Sequence, residues 1–223
     1  MQRHIVESNA GATMSAELLT NIADAVRLLA GGGVLVYPTE TFFGIGCDVR
    51  DARAVDAVFR AKRRQSGMAL PVILGDASQL GMVTRGHGAV EAALARDFWP
   101  GPLSILCPAL PELPDTLTGG TGRVAVRVSP HPAAMALALG LGAPLAASSA
   151  NVSGRAAVVR VADLDRELLS GVDGVYDAPP QPAGGLPSTL VDVLTDGTLR
   201  ILREGAVPRA ALVSKGYEVV SPC

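Results

Sequence analysis

Two groups of side chains in this 223-residue sequence are of the kinds that hold anions. The first is Pro38-Thr39-Glu40-Thr41, followed by Phe42-Phe43-Gly44-Ile45-Gly46. Hydroxyls in a glycine-bearing turn donate to oxyanions, and the same residues also build turns and helix caps. The second is Lys62-Arg63-Arg64, three adjacent cations. Such a cluster grips phosphate or carboxylate, an arginine doing so bidentately, and it serves equally as a solvated helix end that complements the macrodipole. Facing each other, the hydroxyl turn and the cations would make a site for one anion.

The elements around them are readable. Val34-Leu35-Val36-Tyr37 is an apolar run that predicts a strand ending in the Thr-Glu-Thr turn, and loops at strand ends are common places for sites. Asp51 is positioned to cap a helix whose Ala54, Val55, Val58 and Phe59 share one face and whose C-terminus presents the cations. Arg127 lies in the strand pattern of residues 124–128; it faces solvent or is buried with an anionic partner, because an unpaired buried charge is costly. After a strand over 144–147, Ser148-Ser149-Ala150-Asn151-Val152-Ser153-Gly154 offers hydroxyls and an amide with room for a ligand, or an ordinary polar turn. Residues 188–193 and 199–203 alternate around Thr195-Asp196-Gly197, a hairpin signal that puts Ser188 and Arg203 at its open end.

Elsewhere the pattern predicts a short strand at Ile5 and Val6. A helix follows, capped by Ser15, with Leu18, Leu19, Ile22, Val26 and Leu29 on its apolar face and Gly31-Gly32-Gly33 as its stop. A strand at 70–74, a cap at Asp76 or Ser78, a helix at 89–98, strands at 104–109 and 175–177, and helices at 133–141 and 163–169 follow. Gly119-Gly120-Thr121-Gly122 reads as a hairpin turn in preference to a flap, and His87 and His131 as loop residues.

Composition narrows the classes. Apolar residues are 48% and aromatics 4%, so the core is built from Ala, Val and Leu. A net charge of −2 argues against a nucleic-acid-binding coat while leaving room for a local basic patch at Arg60 to Arg64. Cys47, Cys107 and Cys223 are dispersed and odd in number, which indicates neither a disulfide framework nor a zinc site and fits a reducing cytoplasm. No membrane segment is expected. Gly44-Ile45-Gly46 lacks the third glycine of a dinucleotide fingerprint, and no P-loop pattern occurs.

Pro-Thr-Glu-Thr-x-x-Gly-x-Gly followed by Lys62-x-Arg64 resembles the threonylcarbamoyl-AMP synthase, or YrdC-like, family. Phe98-Trp99-Pro100-Gly101-Pro102-Leu103, Ala125-Val126-Arg127-Val128, Ser149-Ala150-Asn151-Val152-Ser153-Gly154, Ser188-Thr189 and Leu202-Arg203-Glu204-Gly205 occur in the family's order, over residues 31–207. The resemblance implies a single α/β (α+β) domain over residues 1–223, with a twisted mixed sheet, flanking helices and a concave cleft, in the family's short form. It implies an enzyme that joins L-threonine, bicarbonate and ATP, with Mg2+, into threonylcarbamoyl-AMP and pyrophosphate, for modification of tRNA and with tRNA or tRNA-modification proteins downstream. Lys62 and Arg64 then act on triphosphate and carbamate oxygens. Thr39 and Thr41 orient the amino acid, Arg127 meets a carboxylate, and Ser149, Asn151, Ser153, Ser188 and Arg203 hold nucleotide or substrate. No protein metal ligands are implied. Phe43 stands where the family often has Tyr, Gln65 where Pro is common, and Ala69 where Pro often precedes Leu. The rival readings are a related carbamoyl-adenylate enzyme and an RNA-binding module without ATP turnover.

Overall fold

The computed structural model describes residues 16–65 and 67–220. Its strands are β1 (Glu17–Leu19), β2 (Leu35–Pro38), β3 (Phe43–Asp48), β4 (Val72–Leu74) and β5 (Leu103–Pro108), then β6 (Arg123–Val128), β7 (Leu145–Ser149), β8 (Gly174–Tyr176), β9 (Thr189–Val193) and β10 (Leu199–Arg203). They form one ten-stranded sheet in the order β1-β8-β2-β3-β7-β4-β6-β5-β9-β10. The sheet is mixed: β1/β8, β2/β8, β4/β6 and β5/β9 are parallel and the other neighbours antiparallel. The helices are α1 (Ile22–Ala30), α2 (Ala52–Ala61), α3 (Ala89–Phe98), α4 (Asp115–Thr118), α5 (Pro132–Leu141), α6 (Arg166–Leu169) and α7 (Arg209–Ser214).

Period-two alternation of apolar side chains gives the sheet two buried faces. Val36, Val72, Leu74 and Ala146 point into one core with Val55, Val58 and Phe59 of α2. Leu35, Tyr37, Ile73, Leu145 and Ala147 point into the other, beneath Ala25 and Leu29 of α1 and Ala134, Leu137 and Ala138 of α5. On this second face α1 and α5 pack on each other and over β8, β2 and β4. Beyond them, residues of β5, β6 and β9 face a cavity instead of a helix.

Two helical expectations are corrected. Leu18 and Leu19 belong to β1, whose three residues pair with β8, and the helix starts at Ile22 because Asn21 is extended and accepts the Ala23 N–H at 2.8 Å. Ser15, Ile5, Val6 and Cys223 lie outside the described residues. The helix expected over 163–169 is a short 3-10 turn, Val161–Asp163, and a separate α6: Asp165 caps Glu167 N–H at 2.9 Å, so the chain must be extended at that point. Asp51 and Asp76 cap as expected, and Gly119 ends α4 at φ 60°, making the 119–122 segment part of the β5–β6 connection. His87 is exposed, whereas His131 is buried and caps α5 through its ring nitrogen.

Candidate functional site

The three adjacent cations separate. Lys62 is the C-cap of α2, and its carbonyl accepts Ser153 N–H at 2.9 Å. Its side chain runs inward, leaving the residue 2% exposed, and the ammonium donates to the carbonyls of Ser149 and of Asn151, the latter at 2.7 Å, with Asn151 Oδ1 at 3.4 Å. Burial, reinforced by the charge of Arg64, pushes its pKa down to about 8. Arg63 adopts φ 48°, in the left-handed region, and turns outward to pair with Glu167. It lines a separate depression of about 290 Å3 beside Arg60 and Gly171. Arg64 turns back and donates to the Ala69 carbonyl at 3.0 Å.

Arg64 lines a cavity of about 530 Å3 with Thr39, Thr41, Arg127, Ser149, Ser188 and Arg203. Asn151 and Ser153 do not line it; Asn151 instead accepts from Ser149 Oγ and donates to Val152 and Arg155 carbonyls, closing the turn that Lys62 clamps. Thr39 is buried, and its hydroxyl donates to Phe42 O at 2.6 Å, so it builds the turn that presents Thr41. Phe43 is fully buried and forms wall, together with Leu70, Pro71, Ile73, Leu106 and Leu190. Among the described residues no carboxylate lines the cavity, and no group of three His, Cys, Asp or Glu is placed to hold a metal.

Arg127 is buried with an anionic partner: its NH1 meets Glu40 Oε1 at 2.6 Å. Arg203 reaches the cavity through a β-bulge. Leu199 and Ile201 pair opposite Val193 and Val191, which face the α2-side core, and the shift between Ile201 and Arg203 places Arg203 opposite Leu190 on the cavity face. There it donates to Ser188 O at 2.9 Å and Ser188 Oγ at 3.1 Å. Two contributors escaped the sequence reading. Glu40 stands in the Thr-Glu-Thr turn with nothing local to mark its partner. Arg123 lines the cavity and pairs with Asp192, and its signal was available: Arg123, Ala125 and Arg127 share one face of β6 by alternation.

An arginine-lined cleft with an apolar wall, and with no acid among the described residues that line it, lies on one face of the mixed sheet of this α/β protein, a lining suited to a phosphate- or carboxylate-bearing ligand. The Sua5/YciO/YrdC family model, described as telomere recombination, matches residues 27–205, and the chain belongs to that family. A threonylcarbamoyl-AMP synthase of Xanthomonas campestris (strain B100) is 37% identical over 182 residues, covering 79% of this chain and 95% of that protein. That of Bacillus subtilis (strain 168) is 34% identical over 197 residues, covering 86% of this chain, which spans only 56% of that longer relative. The structure of P. abyssi Sua5 complexed with L-threonine superposes with a TM-score of 0.83 at 30% identity, over 90% of this chain and 59% of that one.

Proposed function

We propose that the chain is an L-threonylcarbamoyladenylate synthase, forming threonylcarbamoyl-AMP and pyrophosphate from L-threonine, bicarbonate and ATP. The observation that carries this reading is a single cavity lined by Arg64, Arg123, Arg127 and Arg203 and, among the described residues, by no carboxylate, in a member of this family. The amine of threonine and bicarbonate form a carbamate with loss of water; a carbamate oxygen attacks the α-phosphorus while the bond to the β-phosphate oxygen breaks and pyrophosphate leaves. Such transfers depend on positioning and preorganised positive charge.

Arg64 and Arg203 meet the phosphates, Arg127 the amino-acid carboxylate, and Thr41 and Ser188 the remaining polar groups. Ser149 shapes the rim. Lys62 acts from behind: its ammonium holds the Ser149 and Asn151 carbonyls, so it positions the turn in preference to touching the triphosphate. Asn151 and Ser153 belong to the same support. Mg2+ would arrive on phosphate oxygens and water, in keeping with a cavity without carboxylates. Cytoplasmic residence and tRNA as downstream acceptor are part of the same proposal; among the described residues no helix is long and apolar enough to cross a membrane.

The test is pyrophosphate release with ATP, Mg2+ and bicarbonate, with and without L-threonine. Release that requires threonine and bicarbonate is expected. Release indifferent to both, or none at all, would overturn the reading.

A further inference from the structure

The four arginines of the cavity differ in charge balance. Arg123 meets Asp192 at 2.6 Å and Arg127 meets Glu40 at 2.6 Å, so each brings a carboxylate with it. Arg64 and Arg203 bond to the Ala69 carbonyl and to the carbonyl and hydroxyl of Ser188. Among the described residues neither has a carboxylate partner. One end of the cavity therefore carries uncompensated positive charge, while the Arg127 end is neutral overall. The two ends share one field: Arg203 is lowered by burial and by the charge of Arg127, and Arg64 by burial and by that of Arg203.

Glu40 sits behind Arg127, outside the cavity lining. Its Oε2 accepts the Ser129 hydroxyl at 2.6 Å, and Ser129 Oγ accepts the His131 N–H at 3.2 Å, so the carboxylate is held from two sides. Burial opposes its ionisation, but Arg127 and Ser129 together hold its carboxyl below the ordinary range. Arg127 NH1 and Glu40 Oε1 meet as a buried ion pair at 2.6 Å. NH1 is thus turned to Glu40, while the Arg127 side chain still lines the cavity.

We propose that Glu40 is a specificity-determining residue: by cancelling the charge of Arg127 it reserves that end of the cavity for a monoanionic carboxylate and confines polyphosphate to the Arg64–Arg203 end. A planar guanidinium still hydrogen-bonds a carboxylate bidentately when its net charge is balanced, whereas a multiply charged phosphate chain gains most where positive charge is uncompensated. Specificity then comes from disfavouring the wrong anion. The proposal rests on the synthase reading, since it takes Arg127 as the carboxylate contact.

The probe is inorganic tripolyphosphate, used as an inhibitor of the full chain at saturating ATP while L-threonine is varied. The unsubstituted protein is expected to show no competition between tripolyphosphate and threonine. Glu40→Gln, which keeps the shape and the Ser129 contact but not the charge, is expected to become competitive, with at least tenfold stronger inhibition. Glu40→Asp, which restores the charge, is expected to regain the unsubstituted pattern. An unchanged pattern in a folded Glu40→Gln protein would overturn the proposal, and so would competition with threonine in the unsubstituted protein, which requires no variant. If the unsubstituted protein shows no threonine-dependent turnover, the synthase reading fails instead. Calorimetric titration with tripolyphosphate still decides the role of Glu40, which falls if Glu40→Gln binds the probe no more tightly.

Discussion

Lys62 is the residue whose environment makes the clearest demand. Its ammonium is buried and shared between two main-chain carbonyls, so Lys62→Met leaves those oxygens without their donor, at a cost of about 1–3 kcal/mol. A lower urea midpoint together with lost turnover is expected; full turnover in the variant would refute the clamp. The pH dependence has a definite sign. The unfolded chain keeps this proton to about pH 10.5 and the fold releases it near 8, so between those values the unfolded state binds more protons and the group's contribution to stability rises with pH. Activity runs the other way, because the neutral amine is the weaker donor: the rate falls as pH rises through about 8. Lys62→Arg, whose charge does not titrate in this range, should move that alkaline limb upward in a pH–rate profile.

At the scale of elements, the cavity floor depends on how closely β3 approaches β7. A Cβ at Gly46 would stand 2.0 Å from the Ala146 carbonyl oxygen and 3.1 Å from the Tyr37 hydroxyl. Backbone has to move, so Gly46→Ala is expected to destabilise by about 3 kcal/mol. Gly81→Ala, with nothing within 4 Å of the new methyl, should stay within about 0.5 kcal/mol. Denaturant titration of the pair separates the two; equal midpoints would mean that the close approach at Gly46 is not structural. The bulge in β10 is the other element-scale device. It exchanges the face that strand alternation would assign to Arg203 and delivers its guanidinium to Ser188.

The whole molecule carries a net charge of −2, yet among the described residues its cavity gathers four arginines and no acid. Ligand recognition is therefore a local field within a mildly acidic surface, and its two ends should respond differently to salt. If ATP is taken up at the Arg64–Arg203 end as proposed, its KM is expected to rise several-fold on raising ionic strength from ~0.05 to ~0.5 M, while the KM for threonine changes little. Arg203→Ala should raise the ATP KM about tenfold and flatten its salt dependence, one charge-assisted contact amounting to roughly 1.5–3 kcal/mol in favourable cases. Equal salt responses of both substrates would contradict the division of the cavity.

Much of this architecture was legible in local pattern. Apolar runs at residues 34–37, 70–74 and 124–128 marked strands, Asp51 and the Asp76 or Ser78 choice announced helical turns, and Asp196-Gly197 announced the hairpin. The hydroxyl turn, Arg64, Arg127 and Arg203 were visible as candidates because residue type and the ordered motifs of the family are properties of the chain itself. Three decisions belonged to the tertiary structure. One left-handed residue, Arg63, sends Lys62, Arg63 and Arg64 to an interior clamp, an outer surface and the cavity. The Glu40–Arg127 pair joins positions 87 apart that meet only because β6 lies two strands from β7, which itself flanks β3. The bulge at Leu202 reverses a face that alternation had assigned. In each case a side chain's direction depends on strand order or on a single backbone torsion, and neither is encoded in the local spacing of residue types.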